Sequence, residues 1–509
     1  LDEVRRSLYS TIQKLSHDDP PRVFRRFQAP TTTHSKFVSK GTIKVPKKTV
    51  ITVGTIDSKI AGPYPIAELD RLLSYHPTGY RYEPHYRSGR WDGWVHLFST
   101  KKEVFPTGLL STVQSLLNLH RLTHAVNKRR ESVDLHSYEI PGVELRPYQQ
   151  KCVLAMLRHK RGVIKVPTAG GKTLIAAAAL KAFDQPAVYI VHTSTLLKQT
   201  LEVFEKIFPG DVGVVGAGEK KWRKITICMV QTLVKLIEKK QTTPFDDYKV
   251  LMCDECHHVA SGKRVGWYVA ARQFRNAWIR FGLSATPVLR KRGMLLIGAT
   301  GPLIVNIPMS ELQDEGYISE SEVTFYKYDR RRLLDPGYSW LEVYRTGIVE
   351  CEKRNQLGCR LALEQAGTGK LVLMFVELIE HGQTMVDLLR KTAPATRIYF
   401  LSGLDQLRYV SEIKQLAKEK RLDILIVTRK LFGEGVDIPA VDALISLAGG
   451  QSVITFTQMF GRGLRISEGK SHLTYIDFYD ESHDWLERHS ASRVGHCKKL
   501  KQVVTIKEI

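Results

Sequence analysis

No stretch of this 509-residue sequence approaches the ~20 consecutive apolar residues that a membrane-spanning helix needs, so no such span and no membrane partner is expected. The opening residues, LDEVRRSLYSTIQKL, lack the apolar centre and small-residue cleavage site of a secretory signal. The first residue is Leu, which fits a sequence that begins inside a longer one. Cysteine is scarce: seven residues, an odd number scattered without pattern, argue against a disulfide framework and for reduced thiols in a cytoplasm. No segment recurs with a period of 20–50 residues, which excludes a solenoid. Acidic residues are also in deficit, 52 against 76 Lys and Arg, leaving a net charge of +24. Such a field attracts polyanions without separating DNA from RNA. The remainder, 43% hydrophobic and 25% charged, is the composition of a soluble globular chain of roughly three or four domains.

Residues 251–258, LMCDECHH, admit two parsings. Cys253-x-x-Cys256-His257 has the spacing of a haem attachment or half a zinc site. Haem attachment implies export, and a zinc ribbon needs a second pair nearby, whereas the next cysteine is Cys351. The alternative is an acidic box, Asp254-Glu255, at the end of the apolar strand YKVLMC. It is supported upstream by GVIKVPTAGGKTLIAAAALKAF: a strand, a Gly-rich turn and an Ala/Leu-rich helix. In the turn Pro167–Thr173, Gly170 and Gly171 let backbone N–H groups close around phosphate oxygens, with Thr168 in the same loop. Lys172 reaches the β- and γ-phosphates and Thr173 offers its hydroxyl to Mg²⁺. Asp254 completes the Mg²⁺ site and Glu255 polarises the attacking water. One departure is Val166, where the common pattern has Gly.

More pieces follow in fixed order: LRPYQQ (145–150) before the loop, FGLSATP (281–287) after the acidic box, then VTRKLFGEGVDIP (427–439) and QMFGRGLR (458–465). As an ordered set these resemble superfamily 2 helicases and translocases over about residues 140–480. The resemblance implies two RecA-like parallel-sheet lobes in tandem and ATP hydrolysis with Mg²⁺. It implies adenine recognition by Gln149 beside Arg146, although Gln149 also reads as a polar cap for the helix after Pro147. Further nucleotide contacts fall to Gly435 and Asp437. Ser284, Thr286, His257 and Gln458 would couple hydrolysis to strand movement. Arg462 and Arg465, three residues apart on one helix face, would be arginine fingers completing the catalytic set Lys172, Asp254 and Glu255. The strand grip would comprise Thr193, Ser194, Lys198, Gln231 and Thr232 on the first lobe, with Thr428 and Arg429 on the second.

Apolar strands alternate with helical stretches in both lobes, as an open α/β sheet requires. RGVIKV, AVYIVH, ITICMV, KVLMCD and RFGLSA serve the first lobe (126–320); KLVLMFV, RIYFL, DILIVT and ALISLA serve the second (321–490). Residues 45–125 read as a small α+β unit containing GYRYEPHYRSGRWDGW. Its Arg87, Arg90 and Trp91 suit stacking on bases and pairing with phosphates, while Tyr80, Tyr82, Trp91 and Trp94 equally suit a small core. Residues 1–44 and 491–509 read as basic, partly disordered extensions.

The unit ahead of a compact motor is similar to that of the phage UvsW branch-migration helicases, nearest to those of T5-type phages. That likeness implies a monomer, in the bacterial host's cytoplasm, that acts with 3′→5′ polarity. It would unwind or migrate forked and four-way DNA, both duplex and single-stranded, with RNA–DNA hybrids as a further partner. An RNA helicase, or an ATP-switched remodelling factor that separates no strands, are the alternatives the motifs leave open.

Overall fold

The computed structural model describes residues 48–509 apart from 78, 129–131, 261–265, 288–292, 328–332, 406, 430, 432–440, 468–469 and 471. The basic extension expected over residues 1–44 lies outside the described residues, as do Gly435 and Asp437.

The small N-terminal unit is built on a four-stranded sheet ordered β5-β2-β1-β6, comprising β1 (Thr49–Val53), β2 (Asp57–Ala61), β5 (Val104–Pro106) and β6 (His124–Lys128). A two-stranded ladder joins β3 (Ser74–Tyr75) to β4 (Val95–His96). Alternation in β1 buries Ile51 and in β2 Ile60, and both pack with Leu109, Val113 and Leu116 near and on the helix Leu110–Leu119. The aromatic segment contributes to neither the strands nor this core. His76 stacks between Tyr80 (4.2 Å) and Trp94 (3.7 Å), and the Trp91 ring nitrogen donates to the Trp94 carbonyl at 2.7 Å. The rings therefore form a satellite cluster of their own, with Tyr82, Arg87 and Arg90 exposed around it.

This unit is fastened to the first lobe. Arg272 donates to both carboxylate oxygens of Asp57 (2.8 and 2.6 Å), a bidentate geometry of high directional strength. Gly108 sits so close to the Ile297 carbonyl that a Cβ would lie 1.8 Å from it.

In the first lobe eight strands take the order β10-β9-β11-β8-β12-β13-β7-β14. They are β7 (Arg161–Lys165), β8 (Ala187–Val191), β9 (Val212–Gly216), β10 (Glu219–Lys221), β11 (Ile225–Met229), β12 (Val250–Cys253), β13 (Ile279–Ser284) and β14 (Leu303–Asn306). All pair in parallel except β10. The five expected strands are the five central ones, buried on both faces as their continuous apolar runs require. Among the described residues the second lobe has seven strands, β17-β18-β16-β19-β20-β15-β21. These are β15 (Glu320–Lys327), β16 (Val372–Val376), β17 (Ile398–Leu401), β18 (Ile424–Thr428), β19 (Ala443–Ser446), β20 (His472–Tyr479) and β21 (Val504–Glu508).

Residues 491–509 correct the expectation of a disordered tail. The helix Asp484–Lys499 runs through the expected boundary, and β21 pairs in parallel with β15. Leu486, Ser490, Arg493, Val494 and Cys497 recur at helical spacing and are buried. Arg493 donates to both oxygens of the fully buried Asp477 (2.9 and 3.2 Å) and to the Gly450 carbonyl at 2.6 Å. Removing one member of such a pair strands the other charge, so Arg493→Ala is expected to cost about 3–5 kcal/mol. Chemical denaturation would register this as an earlier midpoint at unchanged slope.

Candidate active site

In the first lobe four neighbouring strands, β8-β12-β13-β7, all end at the same sheet edge. Their carboxyl ends carry His192, Asp254, Thr286 and the phosphate-type loop, which is where open parallel sheets build ligand sites. The loop after β7 turns through Ala169 (φ 73°) and Gly171 (φ 72°) into the helix Lys172–Phe183. Left-handed residues beside right-handed ones point successive N–H groups inward as an anion cradle. Val166, the departure from the common pattern, is accommodated at Gly170: a Cβ there would fall 2.3 Å from the Val166 side chain. Gly at 170 thus makes room for Val at 166.

Asp254 and Glu255 follow β12, with Glu255 in the left-handed region (φ 44°), a conformation that costs energy in a non-glycine residue. Lys172 Nζ lies 3.3 Å from Glu255 Oε1. Ser284 Oγ donates to Glu255 Oε2 at 3.3 Å, and His257 Nδ1 stands 2.9 Å from the same hydroxyl. Burial alone would push the Glu255 carboxyl up, but Lys172 and His257 together outweigh it and hold it well below the usual carboxylate range. Asp254, 4% exposed, is pushed upward by burial and then by the charge of Glu255. The two adjacent carboxylates are thereby differentiated by environment. Cys253 and Cys256 are core pieces. Both thiols are fully buried, Cys256 against Gly282, and burial pushes both up, Cys253 to about 12. A metal site would need thiolates.

The second lobe reaches this site through the helix Val453–Gly463. Arg462, Arg465 and Ile466 line one cavity of about 420 Å³ with Thr168, Lys172, Thr173, Asp254 and Glu255. Contact is direct: a Cβ on Gly461 would stand 2.8 Å from Thr168 Cβ. Gly461→Ala is therefore expected to push the helix off the loop and lower the ATPase turnover number about tenfold or more, given how steeply rate falls with sub-ångström misplacement. Steady-state ATPase assays beside an unchanged thermal melt would register it. Gln458 is half-buried one turn earlier on the same helix and does not line the cavity.

Gln149 takes the capping position that its sequence context also allowed. Its Oε1 accepts from the Arg146 N–H at 3.0 Å and its Nε2 donates to the Gly170 carbonyl at 3.4 Å. Both ends are thus engaged by backbone, the first capping the start of the helix Pro147–His159 and the second bracing the loop. The cavity wall is formed instead by Arg146, whose guanidinium lies 4.5 Å over the Tyr317 ring. Tyr317, Leu196 and Gln199 escaped the sequence reading; an aromatic just before β15 carries no motif of its own.

The hydroxyls of Thr168 and Thr286 are buried and lack a hydrogen-bond partner among the described residues, as does that of Thr428. Thr286 N–H donates to Ser284 Oγ at 3.1 Å. Away from the cavity, Thr193 caps its helix through Leu196 N–H (3.2 Å), leaving Ser194 and Lys198 exposed. Gln231 donates to the His192 carbonyl at 2.8 Å, and Thr232 is half-buried beside it. Arg429 pairs with Glu377 at 3.0 Å and donates to Thr455 Oγ1 at 3.0 Å. His257, His258 and His192 stack in series with centroids 4.2 Å apart at each step. Burial drives His192 down to about 4 and His258 to about 3, so both imidazoles are neutral near pH 7. This ring stack, unforeseen in the sequence, spans from the acidic box to the Gln231 contact.

The family described as type III restriction enzyme, res subunit, matches residues 142–289, and that described as helicase conserved C-terminal domain matches residues 352–467. The chain is thus a superfamily 2 helicase, an ATP-dependent enzyme with both motor domains of that class. It is similar to the ATP-dependent DNA helicase uvsW of Enterobacteria phage T4, 24% identical over 82% of this chain and 87% of that one. It is also similar to the DNA 3′-5′ translocase XPB2 of Sulfurisphaera tokodaii, 26% identical over 66% of this chain and 81% of that one. Among solved structures, a fragment of a putative HsdR subunit of a type I restriction enzyme from Vibrio vulnificus matches in fold. Its TM-score is 0.55 at 18% identity, covering 82% of this chain and 78% of that one. Among the described residues no helix is long and apolar enough to cross a membrane.

Proposed function

We propose that this chain is a DNA motor that spends ATP to unwind or migrate branched DNA, at forks and four-way junctions, as a monomer in the cytoplasm of a bacterial host. The observation that carries the reading is the composite cavity, where Lys172, Asp254 and Glu255 of one lobe meet Arg462 and Arg465 of the other. The similarity to a DNA helicase of phage T4 supports DNA as the track and a bacterial host as the setting.

The residues fit ATP with Mg²⁺. The loop offers left-handed turns and an N-terminal helix end for phosphate, and the buried Thr168 and Thr286 hydroxyls await acceptors. Adenine would rest on the Tyr317–Arg146 pair. Magnesium, when bound, would screen phosphate charge, and Thr173 and Asp254 are the residues that would hold it. Lys172 leaves Glu255 for the phosphates when nucleotide arrives, which frees the carboxylate to orient and deprotonate the attacking water. Arg462 and Arg465 then balance charge developing at the γ-phosphate, so hydrolysis demands that the lobes meet. His257 and Ser284 transmit the state of Glu255 toward His192 and Gln231. Base-pair steps cost about 1.4 kcal/mol on average, and branch migration re-forms behind what it breaks ahead.

The test is single-turnover strand displacement on matched forks, four-way junctions, RNA forks and RNA–DNA hybrids, with ATP withheld as control. ATP-dependent displacement of DNA branches is expected. Hydrolysis without displacement would make the chain a switched remodelling factor, and equal displacement of RNA forks would make it an RNA helicase.

A further inference from the structure

A second cavity, about 620 Å³, opens where the N-terminal unit meets the first lobe. It lies at the amino end of β7, on Arg161, whereas the phosphate-type loop leaves the carboxyl end. Five residues at ~3.3 Å each put about 15 Å of buried strand between the two. The cavity is therefore distinct from the motor site.

Its lining has one sign of charge. Lys128, Arg158, Lys160 and Arg161 contribute cations, and no carboxylate lines it among the described residues. Arg161 is locked in place, donating to the Thr55 carbonyl at 2.7 Å and the Thr300 carbonyl at 3.3 Å, so no anion neutralises it through these bonds. Lys128 and Arg158 are exposed at the mouth, and the half-buried Trp278 ring forms part of the wall. The Arg272–Asp57 pair and the Gly108 contact hold the two walls against each other. A preformed cavity at a domain junction, cationic at its mouth and carrying a flat aromatic wall, matches one chemistry: a phosphate attached to a base.

We propose that this junction cavity binds a nucleotide unit, its phosphate on Lys128, Arg158 and Lys160 and its base against Trp278. The unit is either part of a nucleic-acid strand or a free nucleotide. Binding here is read without hydrolysis or strand displacement, so it stands or falls apart from the motor reading.

The test compares three full-length chains: unmodified, Lys128→Glu with Arg158→Glu at the cavity, and Arg390→Glu with Lys391→Glu at an exposed helix end of the second lobe. The last removes equal charge elsewhere. Affinity for a short fluorescent single strand is expected to fall about tenfold or more in the cavity variant and less than about twofold in the control. In a second arm Lys172→Ala disables the motor site and a fluorescent ATP analogue is titrated. Residual binding that disappears only with the cavity variant assigns a free nucleotide, whereas loss confined to the oligonucleotide assigns a strand. If cavity and control variants behave alike in both arms, the positive field is diffuse and the proposal fails.

Discussion

Arg462→Ala is expected to reduce the turnover number for ATP hydrolysis by about 10³–10⁵-fold, the range an arginine finger typically supplies. Affinity for nucleotide should change far less, because the phosphates are gripped by the loop and Lys172 on the other lobe. The size of the effect follows from location. Arg462 lines the cavity that holds Asp254 and Glu255, and Gly461 beside it touches Thr168, so the guanidinium is delivered wherever the two lobes are in contact. Steady-state hydrolysis together with fluorescent-nucleotide titration separates the two quantities. A loss below about tenfold would mean that the guanidinium merely solvates its helix and that the second lobe contributes no chemistry.

Lys172→Ala is expected to abolish turnover while leaving affinity for forked DNA within about threefold, since binding to the phosphate backbone draws on the summed positive charge. The chain retains 75 of its 76 Lys and Arg after this change. The side chain has two tasks in the structure: it faces the loop cavity and holds Glu255 at 3.3 Å. Its removal takes away the phosphate anchor, so the nucleotide is no longer held with its γ-phosphate against the water that Glu255 orients. ATPase assays and fork-binding titrations on the same preparation decide it. Collapse of fork affinity alongside turnover would show that the nucleotide site and the DNA grip are one.

The five central strands of the first lobe and β16 to β19 of the second were legible because strands buried in a parallel sheet read as unbroken apolar runs. Two of those that escaped break that rule. In β15 and β20, Glu322, Thr324, Thr474 and Asp477 interrupt the pattern, and Asp477 is tolerated because Arg493, from the helix that follows β20, and the Tyr475 hydroxyl both meet it. The final helix was hidden for a related reason: Lys498, Lys499 and Lys501 make its end look like a solvated tail, although its inner face is buried. In the candidate site, the loop and acidic box were legible from local spacing, since strand, turn and helix are consecutive there. Tyr317 and the packing of His192 against His258 were not, because they converge from separate strand ends. Gln149 shows how one amide serves two readings: motif logic sends it to a ligand, while in this structure it caps a helix and meets the Gly170 carbonyl.

The bidentate fastening of Asp57 by Arg272 has a mechanical corollary. Were the cleft to open and close, the front unit would travel with the first lobe, carrying its rings at Tyr80, Tyr86 and Trp94, and a duplex lying against them would be levered in phase with fuel consumption.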